Sequence, residues 1–209
     1  MTEQTVSWVK WFCSRNGHDF FCEVDENFMQ DQFNLTELPE QVPYFSYAWA
    51  LILDELDEEE REFQMNLAEE SAEILYGLIH ARYILTSAGI DLMVKKYQKK
   101  EFGVCPRTLC DDQAVLPIGL SDIYGEGSVK IYCPRCCEIF HPPNSKYDNV
   151  DGAFFGTGFP HMLFLAYPNL LPKHPAIPYQ PRLYGFKVHS SFYDNNNKKS
   201  HKKKPKHYR

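Results

Sequence analysis

The chain has 209 residues, 44% apolar and 15% aromatic, enough to build hydrophobic cores in one compact unit or two small lobes. No apolar run reaches transmembrane length, and Met1-Thr2-Glu3-Gln4-Thr5 reads as neither a secretory nor a transit signal, so an intracellular protein without a membrane partner is expected. The net charge of −6 hides an asymmetry: seven of the 22 basic residues lie from Lys198 onward with no acid, leaving 15 basic against 28 acidic residues, or −13, in a body unlike a dedicated DNA-binding domain.

Val6 to Ser14 sets Trp8, Trp11 and Phe12 at i, i+3 and i+4, the spacing of an amphipathic helix with an aromatic face. Phe20 to Val24 is an apolar connector. Asp25 then reads as the N-cap of a second short helix with Phe28, Met29 and Phe33 inward. Leu38-Pro39 through Val42-Pro43 is a break. Tyr44 to Leu56 predicts a third helix with Trp49, Ile52, Leu53 and Leu56 as core candidates. It runs into Asp54, Glu55, Asp57, Glu58, Glu59, Glu60 and Glu62, seven carboxylates in nine positions. Their repulsion predicts an exposed, loop-like segment, either a solvated face or an electrostatic docking site for polycations, basic substrate proteins or a basic patch on another subunit. Phe63 to Leu85 carries Leu67, Ile74, Leu75, Leu78, Ile79, Tyr83 and Leu85 at helical spacing. Thr86 or Ser87 caps a following helix through Tyr97 with Ile90, Met93 and Val94 buried, and lysines crowd its end, where positive charge suits the helix dipole. Residues 1–100 are therefore expected to form an all-α lobe.

Residues 101–167 have a different character. Cys105 and Cys110 are followed, after a 22-residue gap, by Cys133 and Cys136. Two close cysteine pairs a hairpin apart suit one metal ion, and four thiolates in a tetrahedron suit structural Zn2+. A redox reading of Cys133 and Cys136 leaves the first pair unexplained, and disulfides require an oxidising compartment. Cys13 and Cys22 read as small core residues, and Cys137 as a bystander pointing away from the metal. A catalytic zinc needs an open position, and the His-x-Glu of a deaminase is not found upstream. Val115 to Leu120, Ser128 to Tyr132 and Ile139 to His141 predict a three-stranded antiparallel sheet, so the fold class is α+β: a helical lobe, a zinc ribbon and an extended arm. Such a sheet buries too little core to stand alone, and zinc supplies folding energy on the order of 10 kcal/mol. Asp151 to Phe164 predicts a capped turn and a short apolar helix. Gly156-Thr157-Gly158 is not a phosphate loop, since no Lys-Ser/Thr follows and no βαβ unit precedes it.

Five prolines between Pro168 and Pro181 make a stiff linker that delivers Arg182 to His189, an aromatic hairpin or strand fitted to bind a partner. The arm is placed at 168–193. The remainder, 194–209, is a basic tail without folding signals, and Lys202 to Lys206 resembles a nuclear-localisation patch as much as a solubilising one.

Several stretches resemble one known family. They are Val6-Ser7-Trp8 with Trp11-Phe12-Cys13, Phe20 to Asp25, Leu75 to Tyr83, Leu116 to Asp122, Asp151 to Phe164 and Arg182 to Lys187. The chain closely resembles regulatory (beta) subunits of casein kinase II over residues 6 to 193. The resemblance implies a non-catalytic subunit that dimerises through its zinc ribbon and binds two catalytic subunits, forming a tetrameric Ser/Thr kinase of cytoplasm and nucleus. It implies that Cys105, Cys110, Cys133 and Cys136 hold zinc. It also implies that Tyr184 and Phe186 anchor the catalytic subunit, with Leu183, Lys187 and Met162 in the same contact. The acidic run from Asp54 to Glu62 corresponds to the family's docking loop for polyamines and basic substrates. Apolar candidates for the dimer face are Phe102, Val104, Val115 and Leu120, some of which also suit the core within the chain. Two family features do not carry over: no serine precedes Ser7 for autophosphorylation, and Tyr47 stands where a degradation-signal-like pattern needs Arg. The rival reading is a zinc-ribbon protein that binds nucleic acid or serves transcription; Asp111, Asp112, Asp122, Glu126 and Glu138 offset Arg107, Lys130 and Arg135 and make nucleic acid the less favoured partner. No Gly-rich loop, His-Arg-Asp or Asp-Phe-Gly signature marks a kinase domain.

Overall fold

A computed structural model describes residues 6–56, 58–173 and 180–189, with backbone only for 58–68. The chain divides into two compact units, Met1–Pro175 and Ala176–Arg209. Among the described residues, no helix is long and apolar enough to cross a membrane.

The first unit begins with α1 (Trp8–Ser14) and α2 (Glu26–Gln30). Asp25 caps α2 by accepting from the Asn27 N–H, as the sequence predicts. Phe33 does not go inward: it is 83% exposed. The Asp31 carboxylate captures the Phe33 N–H and starts a separate 3-10 turn over Gln32–Leu35, so the helical phase is reset and Leu35 takes the buried place. The expected break at 38–43 contains one helical turn, α3 (Leu38–Gln41), with Pro39 near its start and Leu38 and Val42 buried. In α4 (Phe45–Ile52), Ile52 is buried, whereas Trp49, Leu53 and Leu56 are half-buried.

The long helix α5 (Glu58–Tyr83) starts inside the acidic run, five residues before the expected Phe63. Glutamate is a good helix former, and carboxylates are favoured at a helix N-terminus, so the loop-like expectation fails from Glu58 onward. Leu75, Leu78, Ile79 and Tyr83 face the core as their spacing predicts, but Leu85 lies past the helix end, 42% exposed, while Ile84 is fully buried. A Cβ on Gly77 would stand 2.3 Å from the Phe154 ring, so glycine is what lets α5 touch that ring. Next, α6 (Ser87–Gln98) is capped by Thr86, and Ile90, Met93 and Val94 are buried.

Strands β1 (Leu116–Ile118), β2 (Lys130–Cys133) and β3 (Glu138–Phe140) form one antiparallel sheet in the order β1-β2-β3. The register sets Leu116 against Tyr132 and Ile131 against Phe140. Pro117 lacks an N–H to donate and is tolerated because β1 is an edge strand. Helix α7 (Phe159–Ala166) packs on β1 and α6.

One aromatic seam joins α1 and α5 to the connecting segments before and after the sheet. Phe12 contacts Trp8 at 5.0 Å and Tyr76 at 4.9 Å; Phe20 stacks on Tyr147 at 4.0 Å and meets Phe102 edge-on at 5.7 Å. Phe21 lies 5.2 Å from Phe155. Such pairs contribute about 0.5–1.5 kcal/mol each beyond their buried area. The second unit is described as a hairpin: β4 (Arg182–Leu183) pairs antiparallel with β5 (Phe186–Lys187). In the first unit, after α7, Pro168–Leu170 forms a 3-10 turn, so the linker does not start extended. Its middle prolines and the basic tail lie outside the described residues.

Candidate functional site

The two cysteine knuckles are built by different devices. In the first, the Cys105 N–H donates to the Gln113 carbonyl at 2.8 Å, and Thr108–Cys110 forms a 3-10 turn. Asp111 and Asp112 follow with φ of 49° and 51°, which reverses the chain into β1. In the second, β2 runs directly into Cys133, and the Cys137 N–H donates back to the Cys133 carbonyl at 2.9 Å. Cys137 has φ 56°, a left-handed position that favours glycine. Its side chain is exposed, with Sγ 3.7 Å from the Pro134 carbonyl, so it stands outside the cluster as expected.

The Sγ atoms of Cys105, Cys110, Cys133 and Cys136 all lie within 4.8 Å of one another, with 3.9 Å between Cys105 and Cys136. Sulfurs at the corners of a zinc tetrahedron stand about 3.8 Å apart, from a metal–sulfur bond of about 2.3 Å. The four cysteines can therefore hold one metal ion. Burial pushes the Cys105 thiol well above its ordinary range and the Cys110 thiol to about 11. A bound cation would favour the thiolate form of these cysteines.

Arginines tie the knuckles together. Arg135 donates to the Cys110 carbonyl at 3.0 Å and pairs with Asp111 at 2.7 Å. Arg107 pairs with Glu138 at 3.6 Å. Two of the three cations that could have made a basic ribbon face are thus engaged within it.

The arm's tip is a two-residue turn, Tyr184 with φ 49° and Gly185 with φ 87°, the pattern of a type I′ hairpin. Such turns favour Asn-Gly; here a tyrosine occupies the first place. Leu183, Tyr184 and Phe186 are 64%, 92% and 79% exposed, and Lys187 is exposed. Met162 is 39% exposed on α7.

The acidic run is less uniform than its sequence. Asp54 accepts from the Trp8 N–H with both oxygens, at 3.3 and 3.0 Å, so it serves the N-terminus of α1. Glu55 is exposed. Asp57 lies outside the described residues, and Glu58, Glu59, Glu60 and Glu62 are described in backbone only. Of the dimer-face candidates, Phe102 and Val115 are buried in the chain's own core, Val104 is half-buried and Leu120 is 65% exposed.

Sequence reasoning missed a polar hub under the Phe20–Val24 connector. Tyr76 donates to the Cys22 carbonyl at 2.9 Å and accepts from the Val24 N–H at 3.1 Å. His80 Nε2 accepts from the Cys22 N–H at 3.2 Å, which leaves Nδ1 to donate to the Phe154 carbonyl at 2.8 Å. Irregular buried backbone needs such partners. Burial also pushes the Cys13 and Cys22 thiols up to about 11 and 12, which suits packing and not nucleophilic chemistry.

Comparison with known proteins decides the family. The sequence profile of the casein kinase II regulatory subunit matches residues 7–187. The chain belongs to the casein kinase II regulatory subunit family. It is 52% identical over 191 residues to casein kinase II subunit beta' of Drosophila melanogaster, covering 90% of this chain and 86% of that protein. Against casein kinase II subunit beta of Schizosaccharomyces pombe it is 52% identical over 189 residues, covering 90% and 82%. The Dictyostelium discoideum beta subunit is 47% identical over 192 residues, covering 91% and 72%. The casein kinase II beta family is regulatory and non-catalytic, and membership implies association with a catalytic subunit.

Proposed function

We propose that this chain is a zinc-bearing, dimeric subunit that binds, stabilises and tunes casein kinase II catalytic subunits in a tetrameric Ser/Thr kinase. The observation that carries the reading is the hairpin arm. It displays Leu183, Tyr184 and Phe186 to solvent at the tip of a two-stranded hairpin, inside the stretch matched by the family profile. Exposed aromatics at a hairpin tip suit an anchor that enters a partner's groove, and such residues commonly cost about 2 kcal/mol or more when truncated.

Zinc is the metal this donor set fits. Four thiolates would close its coordination, so it would clamp the two knuckles and supply no chemistry to a substrate. The dimer contact rests on exposed Leu120 and half-buried Val104, with Ile139 on the outer strand 43% exposed. A closed two-fold contact is the usual way to cover such a face. The acidic run from Glu55 onward would concentrate basic substrates or polyamines, whereas Asp54 is committed to α1. The rival reading, a nucleic-acid-binding ribbon, is weakened by the ion pairs of Arg107 and Arg135.

Calorimetric titration of the zinc-loaded chain into a casein kinase II catalytic subunit tests the proposal, with Phe186→Ala alongside. We expect one-to-one binding per chain and at least about tenfold weaker binding for the variant, equal to 1.4 kcal/mol. No binding by the unmodified chain, or an unchanged affinity in the variant, contradicts the arm's role.

A further inference from the structure

A cleft in the acidic body gathers lysines from two helices. It has a volume of about 720 Å3 and receives Lys10 from α1 and Lys95, Lys96 and Lys99 from the end of α6. Its apolar lining is half-buried Leu92 with the edges of buried Phe21, Val24 and Tyr83. The favourable placement of lysines at a helix C-terminus accounts for the three on α6. It does not account for Lys10, which a different helix turns towards the same space.

The charges in the cleft are unevenly matched. Glu101 pairs with both Lys96, at 2.9 Å, and Lys99, at 3.7 Å, so one carboxylate is shared by two ammonium groups. Of the other two carboxylates in the lining, Asp25 is engaged as the cap of α2 and Glu23 is exposed, so four lysines face three carboxylates. Lys10 and Lys95 are exposed and pair with no carboxylate among the described residues.

We propose that this cleft is a binding site for a short phosphorylated peptide segment, with the phosphate held between Lys10 and Lys95 and a neighbouring apolar side chain laid against Leu92. A phosphoserine carries close to two negative charges and three strong acceptor oxygens, which suit converging ammonium groups. The cleft's volume exceeds what a lone ion needs, and Leu92 offers an apolar contact that inorganic phosphate cannot use. A long polyanion fits poorly. Glu23 and Asp25 stand in the lining, and the body beyond is strongly acidic, so a nucleic acid strand would leave the lysines and meet carboxylates.

The test is fluorescence polarisation of a labelled Gly-Ala-phosphoserine-Leu-Ala peptide with the full zinc-loaded chain and no kinase subunit present. The unphosphorylated peptide, inorganic phosphate and a single-stranded oligonucleotide serve as competitors. We expect the phosphopeptide to bind at least about tenfold tighter than its unphosphorylated form and to weaken as salt rises. The double variant Lys10→Gln, Lys95→Gln should weaken it by a further tenfold or so while keeping its metal content and melting temperature. Both side chains are exposed, so the variant retains the fold; Lys10→Glu alone gives a second reading. No measurable binding, equal affinity for the two peptides, an unchanged affinity in both variants, or displacement by oligonucleotide more readily than by unlabelled phosphopeptide overturns the proposal. These outcomes leave the catalytic-subunit reading untouched, because that reading rests on the arm.

Discussion

At the scale of single residues, the hub of Tyr76 and His80 decides how the connector over α5 is held. Tyr76→Phe removes the partner of the Cys22 carbonyl and the Val24 N–H. Both groups are buried, so the expected loss is about 2–3 kcal/mol of unfolding free energy, measurable by urea titration. His80 is fully buried, and burial lowers its pKa from 6.5 to about 4. The unfolded chain takes up a proton near pH 6.5 that the folded chain refuses until about pH 4. This contribution is therefore complete above pH 6.5 and is lost as pH falls from there, at up to about 1.4 kcal/mol per pH unit. Burial pulls His18 down too, and it acts in the same direction. Urea titrations between pH 7 and 5 should show a flatter slope in His80→Gln; an unchanged slope contradicts the assignment. The zinc-site cysteines were legible at once because spacing alone marks a metal knuckle. The hub was not. Within Leu75 to Tyr83 its tyrosine and histidine sit on the apolar face four residues apart, and only the fold shows that buried backbone needs them. Cys137, with φ 56°, is the opposite case: Cys137→Gly should relieve a left-handed residue, gain about 1 kcal/mol and keep the metal. A lower melting temperature would show that its Sγ contact to Pro134 matters more.

At the scale of elements, the predicted helices and strands formed where a repeating pattern was long enough to set a phase. The three ribbon strands and α6 with its Thr86 cap were readable for that reason. Phe33 was misplaced because a side-chain carboxylate two residues earlier captured its N–H and restarted the turn, which apolar spacing cannot reveal. The acidic run was read by charge repulsion alone, and helix propensity with the helix dipole extended α5 into it from Glu58. In the arm, the apolar residues of Arg182 to His189 left hairpin and strand open; the structure forms the hairpin, and the left-handed φ of Tyr184 was not legible. Gly185 has φ 87°, so Gly185→Ala should disrupt the turn while leaving the zinc content and melting of the rest intact. Calorimetry should then show weaker catalytic-subunit binding than the unmodified chain, close to that of Phe186→Ala. Unchanged binding would mean that the aromatic side chains act without the hairpin.

At the scale of the whole molecule, the proposed zinc would make the three-stranded sheet a surface for the proposed self-association. Cys105→Ser or Cys133→Ser should lose zinc and the dimer together, seen by metal analysis and sedimentation on the same sample. A dimer that survives complete loss of metal contradicts this coupling. The aromatic seam from Phe12 through Phe20 to Tyr147 gives the helices a core that does not use the cysteines, so the helical signal should persist in those variants. The most direct measurement is native mass spectrometry of the zinc-loaded chain mixed with casein kinase II catalytic subunit. The account predicts one particle with two copies of this chain, two zinc ions and two catalytic subunits, reduced by Phe186→Ala to the zinc-bearing pair alone. A one-to-one particle without metal, or a metal-bearing pair that never takes up the catalytic subunit, would contradict it.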